Sequence, residues 1–185
     1  MPALWIVLIV LGLLVVWAIL SYNRLVSLRE QVRAGWAQID VLLKRRHDLI
    51  PNLVETVKGY VAHERETLER VITARNAAVA ARDPGQASVA EGALSGALRQ
   101  LFALSEAYPD LKANTNFTEL QRELANTENL ISGQRQQYNA LVAAYNTSML
   151  SFPNNLIAGP FGFTPQPFFE VQDAAQRETP QVKFT

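Results

Sequence analysis

Cysteine is absent, and histidine occurs only at His47 and His63. Without cysteine there are no disulfides, no thiol redox chemistry and no thiolate metal sites. No stretch alternates apolar and polar residues strongly enough to read as a sheet. The nine glycines form neither a dinucleotide-binding fingerprint nor a phosphate loop. The few serines include none in the strand-turn-helix setting of a nucleophile elbow. Net charge is zero and the isoelectric point is near 6.7, which argues against the basic stripe of a nucleic-acid interface.

What is present begins with a long apolar run. Residues 2–20 read PALWIVLIVLGLLVVWAIL, with no charged, amide or hydroxyl side chain. Nineteen helical residues rise about 28 Å, close to the roughly 30 Å hydrocarbon core of a bilayer. Trp5 and Trp17 lie near its ends, where indoles favour the membrane interface. A cleaved signal peptide would need a basic start and a small-residue cleavage site, and this chain starts Met-Pro-Ala-Leu. The run therefore reads as an uncleaved anchor. It holds no ionisable residue, so it is not a transport path by itself. Arg24, Arg29 and Arg33 follow it and nothing basic but the amino terminus precedes it. The positive-inside rule places the N-terminus outside and the remainder in the cytoplasm, at the inner membrane.

Beyond the anchor the apolar period is three to four residues almost throughout. Leu25, Leu28, Val32, Trp36, Ile39 and Leu43 form a first stripe, with no proline or glycine between it and the anchor until Gly35. The anchor is thus expected to run directly into the first domain helix. Pro51 then marks a sharp kink or a boundary. A second stripe comprises Val54, Val57, Val61, Leu68 and Ile72, and Asp83-Pro84-Gly85 signals a turn. Leu94, Leu98, Leu101 and Leu104 mark a third helix. The fourth starts with a capping-like Asn116…Glu119 pair. Its stripe is Phe117, Leu120, Leu124, Thr127, Ile131, Gln134, Tyr138, Leu141 and Tyr145, a coiled-coil-like spacing with Thr127 and Gln134 as polar interruptions. Four amphipathic helices with short connections imply an all-α bundle.

From Asn154 onward, four prolines and two glycines disfavour helix, while Phe161, Phe163, Phe168, Phe169 and Phe184 argue against a solvated tail. The segment is expected to be extended and to lie on the bundle or on a neighbouring subunit. Charge is unevenly shared: ten basic and seven acidic residues lie from Ser21 to Arg75, and seven basic and ten acidic from Asn76 to Thr185. Such a split suits helices that also pair by charge.

The search for chemistry converges on nothing. His63-Glu64 begins like a zinc-protease motif, but Thr67 stands where the second histidine ligand belongs. His47, between Arg46 and Asp48, reads as a helix-end or surface residue. Lys44-Arg45-Arg46 reads as a salt-bridged surface; in a perpendicular helix Lys44 lies about 36 Å beyond Leu20, out of reach of lipid. Asp40, Glu55, Glu64, Glu66 and Glu69 are scattered along helical faces. No catalytic, cofactor-binding or metal-binding residue is expected, and no cofactor.

The runs YNRLVSLREQVRAGWAQIDVLLKRRHDLIPNLVETVKGYVAHERETLERVITAR (Tyr22–Arg75) and YPDLKANTNFTELQRELANTENLISGQRQQYNALVAAYN (Tyr108–Asn146) closely resemble the LemA family. So do Phe152-Pro153, Gly162-Phe163 and Phe168-Phe169-Glu170, with residues 80–95 the least characteristic. The resemblance implies a single-pass anchor (1–21), an antiparallel four-helix bundle (22–152) and a C-terminal segment (153–185). It implies no catalytic residues. Its recurrent polar positions, Arg45, Arg46, Asn52, Glu64, Asn129 and Tyr138, read equally as buried structural groups or as a binding site. Some members look to be encoded near HtpX-type membrane zinc proteases. Two functions follow: a self-associating, non-enzymatic scaffold that organises or shapes the bilayer, or an adaptor of another membrane protein such as that protease. The expected partners are the lipid bilayer and further copies of the chain, with no nucleic acid.

Overall fold

The computed structural model describes residues 2–61 and 64–170. His63 and residues 171–185, including Phe184, lie outside them. The described residues are helical or irregular, with no strand among them. The elements are α1 (Pro2–Lys58), α2 (Arg65–Ala80), α3 (Pro84–Ser105), α4 (Pro109–Lys112), α5 (Thr115–Leu150) and α6 (Asn155–Ala158).

Helix α1 holds the apolar run and continues through Pro51. Pro51 is thus no boundary. A proline inside a helix deprives the carbonyl four residues earlier of its donor. Here that carbonyl belongs to His47, and the Arg75 side chain of α2 donates to it from Nε at 3.2 Å. A side chain from the next helix replaces the missing backbone bond, and α1 ends only before Gly59.

That later end corrects the expected second stripe. Val57, Val61 and Leu68 are buried as the spacing required, but Val71 takes the core position and Ile72 is 42% exposed. The chain leaves helical geometry after Lys58 and starts afresh at Arg65, so the phase cannot carry across. Helix α3 starts with Asp83 accepting from the Gln86 amide at 2.9 Å, with Pro84 in its first turn. Helix α5 is capped by Asn114, whose Oδ1 accepts from Phe117 N at 3.0 Å, rather than by Asn116.

The described residues form two compact units. In the unit made of residues 39–135 and 169–170, α1, α2, α3, α4 and α5 contribute to one apolar core. It includes Ile50, Leu53, Val57, Val71, Leu94, Leu98, Leu101, Leu111, Phe117 and Leu124. Each such side chain taken from water contributes about 1.5–3 kcal/mol. Phe169 is fully buried in this unit, and the Ser88 hydroxyl donates to the Glu170 carbonyl.

The other unit comprises residues 2–38 and 136–168. Leu25 and Val32 of α1 are buried here with Tyr138, Val142, Tyr145 and Met149 of α5. Val142 is fully buried and Leu141 half-buried, because the helical period of 3.6 drifts from a strict 3,4 pattern. Gly35 lets α5 come close: a Cβ there would meet Leu141 Cδ1 at 3.1 Å and Tyr138 Cα at 3.9 Å. After the cis Phe152–Pro153 bond and α6, a nonhelical segment is tied to α5 by its backbone. Tyr138 donates to the Pro167 carbonyl at 2.9 Å and Tyr145 to the Thr164 carbonyl at 3.0 Å. Asn146 donates to the Gln166 carbonyl at 3.0 Å and accepts from its N–H at 2.9 Å. Burial pushes the Tyr138 phenol up to about 12. Tyr145 moves the same way for the same reason, against the opposing effects of Arg29 and the Thr164 carbonyl.

Candidate functional site

The most concentrated polar chemistry lies where α1 crosses the stripe of α3. The uninterrupted α1 keeps Arg46 and His47 on its inward side, both buried. Facing them is Glu91, whose side chain is 2% exposed. Arg46 Nη1 donates to Glu91 Oε2 at 3.0 Å, while Arg46 Nη2 donates to Ser95 Oγ at 2.8 Å. His47 Nε2 meets the other Glu91 oxygen at 2.5 Å. Arg46 also lies 2.8 Å from Glu128 Oε2, on α5. Both carboxylate oxygens of Glu91 are therefore engaged, as a buried charge requires.

This arrangement corrects two sequence readings. His47 is neither a helix-end nor a surface residue, because Pro51 does not end α1. Arg46 is buried, whereas its neighbours behave as the salt-bridged surface expected: Lys44 pairs with Asp48 at 2.9 Å, and Arg45 with Glu123. The Lys44 ammonium holds the exposed Asp48 carboxyl below its usual range. Of the recurrent polar positions, Arg46 and Tyr138 are buried, Glu64 is half-buried, and Arg45, Asn52 and Asn129 are exposed. Glu55, Glu64 and Glu66 meet Lys58, Tyr108 and Arg70 respectively, and Asp40 and Glu69 lie exposed on their helices. Glu91 went unread. Its signal was its place in the α3 stripe, three residues before Leu94 and seven before Leu98.

Above Arg46 an open cleft of about 460 Å³ runs between α3 and α5, with Ser95, Arg99, Phe102, Glu128 and Arg135 on its walls. His47 and Glu91 do not line it, so the carboxylate–imidazole pair sits beneath the cleft rather than facing it. Ser95, the nearest hydroxyl, accepts from Arg46 instead of meeting the imidazole. The cluster ties three helices together by charge and hydrogen bonds; it does not set a nucleophile beside a base. Among the described residues no group of histidine, aspartate and glutamate side chains has the arrangement to hold a metal ion.

The family model described as LemA family matches residues 35–184. The chain belongs to the LemA family. The LemA match takes in Arg46, His47, Glu91, Glu128 and the Asn146–Gln166 contact, and starts beyond the apolar run. Among curated proteins, magnetosome protein MamQ of Magnetospirillum gryphiswaldense is 24% identical over 192 residues, covering 89% of this chain and 71% of that protein. MamQ 2 of Paramagnetospirillum magneticum is 25% identical over the same coverage. Protein LemA of Metamycoplasma hominis is 26% identical over 140 residues, covering 74% of this chain and 63% of that protein. None of these names denotes a reaction.

Proposed function

We propose that this LemA-family chain is a non-enzymatic, single-pass membrane scaffold that self-associates and so organises or shapes the bilayer. The observation that carries this reading is the continuity of α1. One helix holds the exposed apolar anchor at its start and, within the same compact unit, the buried Leu25 and Val32 further on. A unit joined to its anchor without a flexible linker has its orientation to the membrane constrained, which is what a shape-imposing scaffold needs. Its helices are read as an antiparallel four-helix bundle, supported by the core that α1, α2, α3 and α5 share. The expected extended tail is interrupted by α6, and the segment after it is read as an extended aromatic tail, supported by the bonds that Tyr138, Tyr145 and Asn146 make to its backbone. The buried Arg46–Glu91–His47 cluster supports a structural role, since its members satisfy one another. The relatives named for the magnetosome support the membrane-associated, non-catalytic part of this reading.

The test is the size of the full-length particle after gentle extraction, by light scattering and electron microscopy. A large closed assembly supports the scaffold. A monomer overturns it in favour of an adaptor, which crosslinking in the native membrane would show as a fixed-stoichiometry pair with a protein such as an HtpX-type protease.

A further inference from the structure

Two long stretches of the chain carry no charged side chain. One is residues 2–23; the other runs from Gln136 to Phe169. Residues 2–23 and 136–168 belong to the same compact unit. Protein surfaces that face water normally carry about 25–35% charged residues. The second stretch carries none, yet it exposes large apolar side chains: Leu150 66%, Phe152 79%, Leu156 60% and Phe161 62%.

Their position follows from what they touch. A groove in this unit is lined on one side by Trp17, Leu20, Ser21 and Arg24, and on the other by residues of 143–154 that include Phe152. The Phe161 ring lies edge-on to Tyr22, with centroids 5.1 Å apart. Trp17 to Arg24 span the end of the apolar run, where about twenty residues have crossed a bilayer's core and the interface begins. The turn is held in place: Asn155 N donates to Ser151 O at 3.0 Å, and Asn154 Nδ2 to Ser148 O at 3.1 Å. Phe152 is thus presented by an ordered turn at the depth where aromatic rings favour the headgroup boundary. Arg24, the first charge after the apolar run, lines the same groove.

We infer that residues 150–161 are a second membrane contact: Leu150, Phe152, Leu156 and Phe161 enter the bilayer interface beside the anchor. The inference rests on the membrane-anchor part of the reading above and is independent of self-association. With two points of attachment, the anchor cannot rotate freely about its own axis, so one face of this unit is fixed toward the membrane.

The cysteine-free full chain makes the test direct. Phe152→Cys, Leu156→Cys and Phe161→Cys, each bearing a fluorophore, are reconstituted in phosphatidylcholine–phosphatidylglycerol vesicles. Leu13→Cys in the anchor and Val89→Cys on exposed α3 surface serve as references. Lipid-borne nitroxide is expected to remove most emission at the three sites, while iodide in the water has little effect; Val89→Cys behaves in the opposite way. If iodide quenches the three sites as fully as Val89→Cys while Leu13→Cys stays lipid-quenched, the second contact is refuted and the anchor stands. Iodide quenching at Leu13→Cys refutes the anchor, and this contact with it. Protection of the three sites from both quenchers also overturns the inference, because a protein surface then covers them.

Discussion

Glu91 is a residue whose loss should be costly to the domain. Its carboxylate balances a buried arginine, and an unmatched buried charge costs roughly 3–5 kcal/mol. Glu91→Leu is therefore expected to lower unfolding free energy by about that much, with Glu128, half-exposed, recovering only part. Combining it with Arg46→Met removes the stranded charge, so the double variant should be more stable than Glu91→Leu alone. Denaturant titration of the three variants checks this, and a double variant no better than the single one refutes charge compensation. Tyr138 sets a second residue-scale effect. Its folded pKa of about 12 lies above the ordinary value of about 10. The stabilisation is complete below the ordinary value and is lost as pH rises through the folded one, since the unfolded chain releases its proton first. Melting temperature should fall across that window, and Tyr138→Phe should flatten the fall, leaving the part due to Tyr145. These groups were unequally legible. Tyr138 stood in a visible stripe, whereas Glu91 sat among alanines, where composition alone does not separate a solvated carboxylate from a buried one.

Among the elements, α1 poses the sharpest question, because a proline in its interior normally costs about 3 kcal/mol. The Arg75 bond to the His47 carbonyl offsets part of that cost. Arg75→Met should then destabilise the protein by about 1–2 kcal/mol. In a Pro51→Ala background, where residue 51 again supplies an N–H, the same change should cost clearly less. Equal costs in both backgrounds would show that the contact does not compensate for Pro51. Sequence periodicity located the helices because apolar spacing survives wherever a helix packs. It left Pro51 open between a kink and a boundary because the deciding donor, Arg75, lies twenty-eight residues from the His47 carbonyl it serves. It failed at Ile72 because a break after Lys58 resets the phase of the following stripe.

For the whole molecule, the expected orientation in the membrane rests on three arginines. Arg24, Arg29 and Arg33 follow the anchor, so Val89→Cys should resist an impermeant thiol reagent on intact cells and react once they are opened. Reaction on intact cells would reverse the topology. The all-helical class and the long apolar N-terminal helix were readable from composition and period. The division into two units was not, because the stripes of α1 and α5 continue through Gln38–Ile39 and Arg135–Gln136 without a break.

Asn146 holds Gln166 by its main-chain N–H and carbonyl, as a neighbouring strand would. Selection at that contact therefore falls on the asparagine, not on the residue it grips. The grip itself makes no demand on the side chain at 166 and excludes only proline, which has no N–H to offer.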